Sequence, residues 1–506
     1  MEEKNTTKRI AKNTLMLYFR QILIMIVSLY TVRVVLNTLG AEDYGIYNVV
    51  AGVVVLFSFV NNAMATSTQR FLNFNLGKED TEKTQQTYSS SLLIHIGIAL
   101  IFVILAETIG LWFVNTKLNI PQERHSAAMW CYQFSIITTV FNILRVPYNA
   151  VIIAYEKMSF FAWVSIVEAV LKLLVVYLLI ISPFDKLVAY VILLTLVSII
   201  ILFCYKIYCN KKFEIAHYKK VNDYSLVKEI LGFSGWSLFG ATANVANSQG
   251  TNIVLNMFTN VTVNAAMGIA NQVNSAVYSF VSNFQTAFNP QIIKSYAAKN
   301  YDYFNNLICR TSKFSFLLLT YIALPLYVNV DFVLTLWLKN VPQYSCDFVN
   351  LILLFSLIDA FNGPLWMAAQ APGKIKNYQL VVSFFIFLNL PLSILVMYLG
   401  VSPLYVLYIR IILNICITFY RLLYLKKHVG LSIISYFKRV FFPCVLVLIV
   451  SFISVNFIGA FFDGVVRFLI TCISSVFINT LLVFIFCLSK DELMIIKRFL
   501  FNKDLS

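Results

Sequence analysis

Apolar stretches of about 20 residues recur along the whole chain, and short polar segments separate them. A helix of about 20 residues crosses a hydrocarbon core of about 30 Å, so each stretch predicts a membrane-spanning helix. The predicted fold class is therefore an all-α polytopic membrane protein with about 14 transmembrane helices. The predicted spans cover residues 13–36, 46–69, 88–114, 126–154, 160–181, 186–207, 230–257, 265–288, 308–330, 346–370, 378–399, 404–425, 440–459 and 465–489.

These spans divide the chain into four predicted domains. An N-lobe of six spans occupies residues 1–207, and a basic cytoplasmic connector follows at 208–229. A C-lobe of six spans occupies 230–425, and residues 426–506 hold the last two spans and a cytoplasmic tail. The polar segments between the spans are too short to form a large soluble domain.

The two lobes share short matches that indicate an internal repeat. Pro147 and Pro364 lie 217 positions apart, and each is followed by a lysine in the next loop, Lys157 and Lys374. Because six is an even number of helices, both copies start on the same side of the membrane, which predicts two pseudo-symmetric lobes around a central cavity. Three further matches pair VVLN 34–37 with IVLN 253–256, GIYN 45–48 with GIAN 268–271, and FSFVNN 57–62 with YSFVSN 278–283.

Composition and charge agree with a membrane protein. Hydrophobic residues make up 59% of the 506 residues and charged residues 12%, against roughly 45–50% and 25% in a soluble domain. Lys and Arg accumulate in cytoplasmic loops, which predicts cytoplasmic termini here. Topology and anionic inner-leaflet lipids account for the net charge of +16 without a nucleic-acid partner. The loop cations on the opposite, outer side are few: Lys117, Arg124, Lys186 and Lys339.

The sequence predicts no cofactor and no metal site. Its nine cysteines form no CxxC pair, and its four histidines lie far apart. Neither a P-loop nor a nucleophile elbow occurs, so ATP-driven transport and familiar hydrolase chemistry lack their residues. Energy for transport would come from an ion gradient or from the substrate gradient.

Charged side chains inside predicted spans are informative because each costs about 2.5 to 3.5 kcal/mol at the centre of a helix. Arg145 lies ten residues before Tyr155 at the end of its span, and therefore near the bilayer midplane. Lys172 is also central, and Glu168 lies one helical turn before it, where an ion pair can form. A neutralised structural pair and a pair that faces a wet cavity both remain open.

Other charged candidates lie nearer the ends of spans or stand alone. Arg20, Arg33 and Arg70 have long side chains that could line a cavity or reach the membrane interface. Glu107 and Asp359 join Glu168 as candidates for ion coupling. A hydrogen-bonded structural carboxyl is the alternative for Glu107.

Spans 7 and 8 each carry uncharged polar residues along one face. Such faces form either interhelical hydrogen-bonding seams or the wall of a water-filled cavity. A wall of amides, hydroxyls and tyrosine suits a ligand with many hydroxyl groups, and cations opposite it suit a phosphate. The candidate wall residues are Asn244, Asn247, Asn271, Asn274, Tyr278 and Gln285.

Three motifs carry a resemblance to a known family. LGAEDYG spans residues 39–45, RVPYNAVIIAYEKM spans 145–158, and APGK spans 371–374. With the charged N-terminus before span 1, they resemble the Wzx-type lipid-linked oligosaccharide flippases of the MOP (multidrug/oligosaccharidyl-lipid/polysaccharide) exporter superfamily. The resemblance runs through nearly the whole chain. The last two spans look like the additional helices of the related lipid II flippases, which form a groove for the lipid tail.

The resemblance implies a substrate, partners and a location. The substrate would be an O-antigen, capsule or exopolysaccharide repeat unit on undecaprenyl pyrophosphate, moved to the outer leaflet of a bacterial inner membrane by alternating access. Its sugar would lie in the polar cavity. Membrane lipids, polysaccharide assembly proteins and a coupling H+ or Na+ would be the other partners. The cations available for the pyrophosphate are Arg20, Arg33, Arg70, Arg145 and Lys172.

Two other functions stay open. A drug or cation antiporter of the MATE branch would share the fold, although its usual twelve helices and mostly neutral or acidic cavity fit less well. A membrane polysaccharide polymerase or ligase would also have many helices. Such enzymes generally use a long outer loop to hold substrate, and the longest predicted outer loop here covers only residues 331–345.

Overall fold

The computed structural model describes residues 2–55, 58–117, 120–221, 224–259, 261–338, 340–488 and 492. These residues form α-helices joined by short turns, and none of them lies in a strand. The helices are α1 (Glu2–Val55), α2 (Ser58–Gly77), α3 (Thr81–Leu105), α4 (Leu111–Lys117), α5 (His125–Ala154), α6 (Met158–Ile181), α7 (Lys186–Lys212), α8 (Tyr224–Phe258), α9 (Val261–Ala297), α10 (Tyr301–Val328), α11 (Val330–Leu338), α12 (Ser345–Gln370), α13 (Lys376–Tyr398), α14 (Leu404–Val429), α15 (Ile433–Tyr436), α16 (Phe442–Gly459) and α17 (Gly464–Leu482).

Three π-helical turns continue helices without a break. Ala106–Gly110 joins α3 to α4, Phe437–Phe441 joins α15 to α16, and Val483–Cys487 extends α17. A sharp kink at Gly40, whose φ of 79° is left-handed, divides α1 within the LGAEDYG motif. Glycine adopts this conformation without the steric cost that a Cβ atom brings.

The described helices confirm the all-α polytopic membrane fold. Ten helical segments are long and apolar enough to cross a membrane, and they coincide with predicted spans 3–6 and 9–14. The remaining four predicted spans fall on α1, α2, α8 and α9. In α8 and α9 the Asn, Gln, Ser and Thr residues reduce the hydropathy, whereas α1 contains a shorter apolar segment, Asn13–Ser28, among the described residues. The number of 14 spans therefore stays a prediction, whereas the helical architecture is confirmed.

The helices cluster into two compact units. Unit 1 comprises Met1–Thr242 and the short segments Ile293–Lys299 and Gly373–Lys376. Within it α5 packs against α2, α3 and α7, and α1 packs against α5 and α6. Its buried core includes Tyr88 and Tyr132, both at most 1% exposed.

Unit 2 comprises Ala243–Ile292, Asn300–Pro372 and Asn377–Ser506. Within it α12 packs against α10 and α14, while α10 also contacts α16 and α17. Helices α16 and α17 pack against each other. The helices with the matched prolines, α5 and α12, thus each contact several neighbours in their own unit.

Backbone geometry repeats at the same sequence separation as the predicted internal repeat. Glu156, with φ of 57°, and Gly373, with φ of 81°, are left-handed and lie 217 positions apart, like Pro147 and Pro364. The end of α2 and the end of α9 also correspond. Glu79 and Lys299 are left-handed there, 220 positions apart, and the following Asp80 and Asn300 each cap the next helix through a side-chain oxygen.

The turn at Gly373 is constrained by the neighbouring Arg70 side chain as well as by its own backbone conformation. A Cβ atom at Gly373 would lie 2.5 Å from Nη2 of Arg70, whereas at left-handed Gly400 a Cβ atom would meet no atom within 4 Å. We expect Gly400→Ala to cost about 1–2 kcal/mol through backbone strain alone, and Gly373→Ala to cost more. Thermal unfolding of the purified variants in detergent would measure both, and equal losses would contradict a constraint from Arg70.

Arg124, in the turn before α5, joins two acidic residues from other segments of unit 1. Its Nε and Nη2 atoms donate to the Asp43 carboxylate over 2.8 and 2.6 Å, and Nη1 donates to Asp185 over 2.6 Å. Asp185 also caps α7 by accepting from the Val188 backbone N–H. Asp43 belongs to the LGAEDYG motif, so this ion-pair network anchors that motif to the starts of α5 and α7.

The network makes stability depend on pH in a defined direction. Partial burial raises the pKa of Asp185, but the hydrogen bonds from Arg124 outweigh this effect and lower the pKa below its ordinary 3.8. The stabilisation is therefore complete above the ordinary pKa and is lost as pH falls through the lowered one. We expect Asp185→Asn to cost about 0.5–1 kcal/mol at neutral pH, because the pair is partly exposed, and less in acid.

Melting temperatures of wild type and Asp185→Asn between pH 7 and pH 3 would measure this difference. In an Arg124→Gln background the same substitution should change the melting temperature less. If the melting temperatures of wild type and Asp185→Asn differ by the same amount from pH 7 to pH 3, the ionised Asp185 carboxylate does not contribute to stability.

Candidate functional site

Arg145, Glu168 and Lys172 form one charge cluster in unit 1. Arg145 lies two residues before Pro147 in α5, and the other two lie one turn apart in α6. Glu168 accepts from Arg145 Nη1 over 2.9 Å through one carboxylate oxygen and from Lys172 Nζ over 2.8 Å through the other. One carboxylate therefore joins two cations, and the cluster keeps a formal charge of about +1.

Two further elements of unit 1 surround this cluster. The ring of buried Tyr205, from α7, lies 5.8 Å from the Arg145 guanidinium carbon. Arg20, from α1, stacks 4.6 Å above the Phe161 ring of α6 and interacts electrostatically with Tyr205. The structure thus brings the predicted cations Arg20, Arg145 and Lys172 to a common region around Glu168, with positive charge in excess.

The other two predicted cations lie elsewhere or outside the description. Arg33 is in α1, but its side chain falls outside the described residues. Arg70 is only 3% exposed, and its guanidinium carbon lies 4.6 Å from the Phe71 ring centre and 5.4 Å from that of Phe233. Arg70 is therefore buried among aromatic rings, close to the Gly373 turn, and does not extend to an interface.

Glu107 lies on the first π-helical turn. Gln133 of α5 donates a hydrogen bond to its carboxylate over 3.2 Å. The neighbouring Tyr132 hydroxyl donates to the Ala106 carbonyl over 2.6 Å. This turn therefore gives Glu107 an amide partner from a neighbouring helix, which is the arrangement of a hydrogen-bonded carboxyl.

Unit 2 contains a polar cavity of about 280 Å³, which we call the α12 cavity. Five predicted candidates line it, and the lining helices are α8, α9, α12, α13 and α14. The lining residues are Asn244, Asn247, Asn274, Tyr278, Phe355, Ser356, Asp359, Trp366, Gln379, Val382, Phe385, Ile386, Asn389, Arg410, Leu413, Asn414, Ile417 and Arg421.

Asp359 is the acidic residue of the α12 cavity. A side-chain hydrogen bond links it to the Tyr278 hydroxyl, and the Asn362 amide donates to it over 3.5 Å. Arg421 donates to the Asn362 carbonyl over 3.1 Å. Arg410 stacks 4.2 Å above the Phe355 ring and interacts electrostatically with Asp359.

Arg410 and Arg421 were not among the predicted site residues. The sequence places Arg410 about two helical turns from the outer face and Arg421 with the cytoplasmic cations. A signal was nevertheless present, because Arg410, Asn414, Ile417 and Arg421 follow one another at intervals of four, three and four residues, which places them on one face of α14. The charged and amide residues of that face enter the α12 cavity.

The polar faces of α8 and α9 form interhelical hydrogen bonds and also line the α12 cavity. Asn389 donates to the Asn247 side chain over 2.8 Å, and Ser356 donates to Asn274, so these cavity residues also form interhelical hydrogen bonds. Gln285 is buried and donates to Ser315 and to the Ala360 carbonyl. Asn271 is partly exposed and is not among the residues that line the α12 cavity.

The two sites differ in the ligand chemistry that they suit. The α5–α6 charge cluster offers guanidinium and ammonium donors, which bind phosphate and carboxylate groups. The α12 cavity offers amides, hydroxyls, one carboxylate and two arginines, which suits a ligand with many hydroxyl groups. Among the residues that the structure describes, no group of His, Cys, Asp and Glu could hold a metal ion.

Comparison with family models gives two matches. The model of the family described as "Polysaccharide biosynthesis protein" matches residues 10–296, which is more than half of the chain. The MatE family model matches residues 248–395. No curated protein matches the sequence.

Comparison with solved structures gives the same fold. A MATE protein in its bent conformation aligns with a TM-score of 0.72 at 12% identity, covering 84% of this chain and 96% of its own. An outward-facing multidrug resistance MATE family transporter of the MOP superfamily aligns with a TM-score of 0.69 at 13% identity, covering 83% and 96%. A MOP superfamily transporter from Pyrococcus furiosus, described as having a binding pocket of reverse polarity, aligns with a TM-score of 0.69 at 12% identity and the same coverage.

Proposed function

This chain belongs to the polysaccharide biosynthesis protein family, and we propose that it acts as a flippase for oligosaccharide repeat units linked to undecaprenyl pyrophosphate. In this proposal, two six-helix lobes alternately open to the cytoplasmic and the outer leaflet of a bacterial inner membrane. The MATE-like fold of this multi-pass membrane protein supports such a mechanism. Both termini would be cytoplasmic.

The α5–α6 charge cluster is the observation that carries the proposal. A diphosphate needs cations at membrane depth, and isolated cations there are costly unless a partner compensates them. Glu168 keeps Arg145 and Lys172 partly neutralised over 2.9 and 2.8 Å. An incoming pyrophosphate would compete with Glu168 for these donors, while Arg20 adds positive charge nearby.

In this proposal the α12 cavity binds the sugar part of the substrate. Its amide and hydroxyl groups include Asn244, Asn274 and Tyr278, which can donate to and accept from sugar hydroxyls. At about 280 Å³ the cavity lies near the lower limit of roughly 300 Å³ for small-molecule pockets. It therefore fits about one sugar residue, and the rest of a repeat unit would extend beyond it.

One observation favours a MATE-type antiporter as the second candidate. Asp359 is a carboxylate in a membrane-protein cavity, and it lies within residues 248–395, the part that the MatE model matches. Such a carboxylate can exchange a cation for a substrate.

Deletion of the gene in its host, followed by analysis of lipid-linked glycans, tests the proposal. We expect undecaprenyl-linked repeat units to accumulate with the glycan on the cytoplasmic side of the membrane. Single repeat units that reach the outer leaflet and remain unpolymerised would favour a polymerase. Unchanged glycans with altered sensitivity to cationic drugs would favour the antiporter.

A further inference from the structure

A second cavity lies in unit 2, and the proposed transport does not use it. It measures about 480 Å³, and we call it the α10–α16 cavity. Its polar lining comes from α10, from the π-helical turn before α16 and from the chain after α17. The polar lining includes Asn306, Arg310, Lys313, Lys438, Arg439 and Glu492.

Two of its four cations have a partner inside the cavity. Lys313, only 6% exposed, donates to Glu492 over 2.8 Å and to the Cys487 carbonyl over 2.7 Å. Arg310 Nε lies 3.7 Å from the same carboxylate. Glu492 thus compensates one of these two charges, so Arg310, Lys313 and Glu492 together keep a formal charge of about +1.

The other two cations face the cavity without a carboxylate. Lys438 and Arg439 are exposed, and neither forms an ion pair with any residue that the structure describes. Arg439 makes a long hydrogen bond of 3.5 Å to the Asn306 side chain. Four cations against one carboxylate leave the cavity with a formal charge of about +3, which suits a phosphate group.

Both sides of the cavity are shaped by π-helical turns. Lys438 and Arg439 lie on the turn Phe437–Phe441, and Phe486 and Cys487 lie on the turn Val483–Cys487. Such turns are rare and occur frequently at functional sites. Here the first presents adjacent cations to the cavity, and the second ends at Cys487, whose carbonyl accepts a hydrogen bond from Lys313.

Apolar surface borders this cationic cavity. Phe442 is 61% exposed, and on the other side Phe486, which lines the cavity, is 49% exposed. An exposed apolar surface beside a basic pocket fits an amphiphile whose acyl chains lie along the helices and whose head group enters the pocket. A free phosphate ion would gain nothing from that surface.

We propose that the α10–α16 cavity binds the phosphate group of a lipid of the cytoplasmic leaflet. The predicted orientation places the cavity on the cytoplasmic side, where anionic lipids are abundant and basic pockets between helices bind their head groups. Lys438 and Arg439 contact the phosphate, and Lys313 holds the floor of the cavity through Glu492. Binding at this site is independent of the glycan that the chain transports.

The test compares two pairs of cations at the same membrane face. The full chain in detergent is titrated with fluorescent phosphatidylglycerol. Unlabelled phosphatidylglycerol, phosphatidylcholine, undecaprenyl phosphate and inorganic phosphate serve as competitors. We expect Lys438→Gln/Arg439→Gln to weaken binding about tenfold or more, since it removes both charged donors that contact the phosphate. Lys426→Gln/Lys427→Gln, at the end of α14 and outside the cavity, removes the same charge and should leave affinity unchanged.

Equal losses in the two double variants, or no loss in either, would overturn the site. Competition by inorganic phosphate at the concentration where phosphatidylglycerol competes would overturn the assignment to a lipid. Stronger competition by undecaprenyl phosphate than by phosphatidylglycerol would support the site and identify a carrier lipid as its ligand. The single variant Lys438→Glu reverses an exposed charge and keeps the test available if the double variant fails to fold.

Discussion

Arg145→Ala is expected to reduce export of the glycan strongly while the protein remains in the membrane. The substitution removes the guanidinium that lies 2.9 Å from Glu168 and that we assign to the pyrophosphate. A hydrogen bond to a charged group is worth about 1.5–3 kcal/mol, so transport should fall about 10- to 100-fold. Folding should suffer less, because Glu168 keeps Lys172 as its partner. Surface polysaccharide in the deletion host, complemented with each variant, is the measurement.

Two controls separate charge at this site from charge in general. Arg145→Lys keeps a cation at the same position and should restore part of the export. Lys219→Ala removes an exposed cation that pairs with Glu82 over 3.7 Å, and it should export normally. Normal surface polysaccharide in Arg145→Ala, with an unchanged protein level on an immunoblot, would show that Arg145 does not bind the substrate.

Contacts close in sequence were predictable at this cluster, and the distant contact was not. Glu168 and Lys172 lie one turn apart on α6, so their spacing alone predicts the pair. Arg145 joins them from 23 residues away because α5 and α6 lie together in unit 1. A single sequence does not fix how two apolar helices rotate about their axes, so the three-residue cluster could not be predicted.

The surroundings of Arg70, at the end of a predicted span, could not be predicted from the sequence either. Its sequence position allowed either a cavity or the interface. The structure instead surrounds it with Phe71, Phe233 and the Gly373 turn, which come from three separate segments of the chain. The turn itself could be predicted from the sequence, because APGK at residues 371–374 places proline and glycine together between two apolar spans.

The two copies of the repeat have diverged where the candidate sites lie. At the separation of 217 that matches Pro147 with Pro364, Arg145 corresponds to Asn362 and Asn142 corresponds to Asp359. The first copy therefore carries a cation where the second carries an amide. This exchange agrees with different roles for the two lobes, a phosphate site in the first and a sugar and ion site in the second.

Asp359→Asn is expected to have the largest effect among the three candidate coupling carboxylates. Glu168 is held by two cations, and Glu107 accepts from Gln133. Asp359 also accepts hydrogen bonds, from Tyr278 and Asn362, but among the three carboxylates it is the one that lines the α12 cavity. An H+ or Na+ ion that entered the cavity would therefore meet Asp359, and its binding would alter the balance of charge between Arg410 and Arg421.

The prediction is tested by export of the glycan with and without an ionophore that dissipates the proton or sodium gradient. Wild type should lose export when the relevant gradient collapses. Asp359→Asn should lower export about tenfold or more, since it loses an interaction of about 1.5–3 kcal/mol with the ion. The residual export of this variant should not change when the ionophore is added. Glu107→Gln, a matched change in another membrane carboxyl, should keep both export and ionophore sensitivity. If Asp359→Asn exports normally and responds to the ionophore as wild type does, Asp359 does not couple transport to an ion.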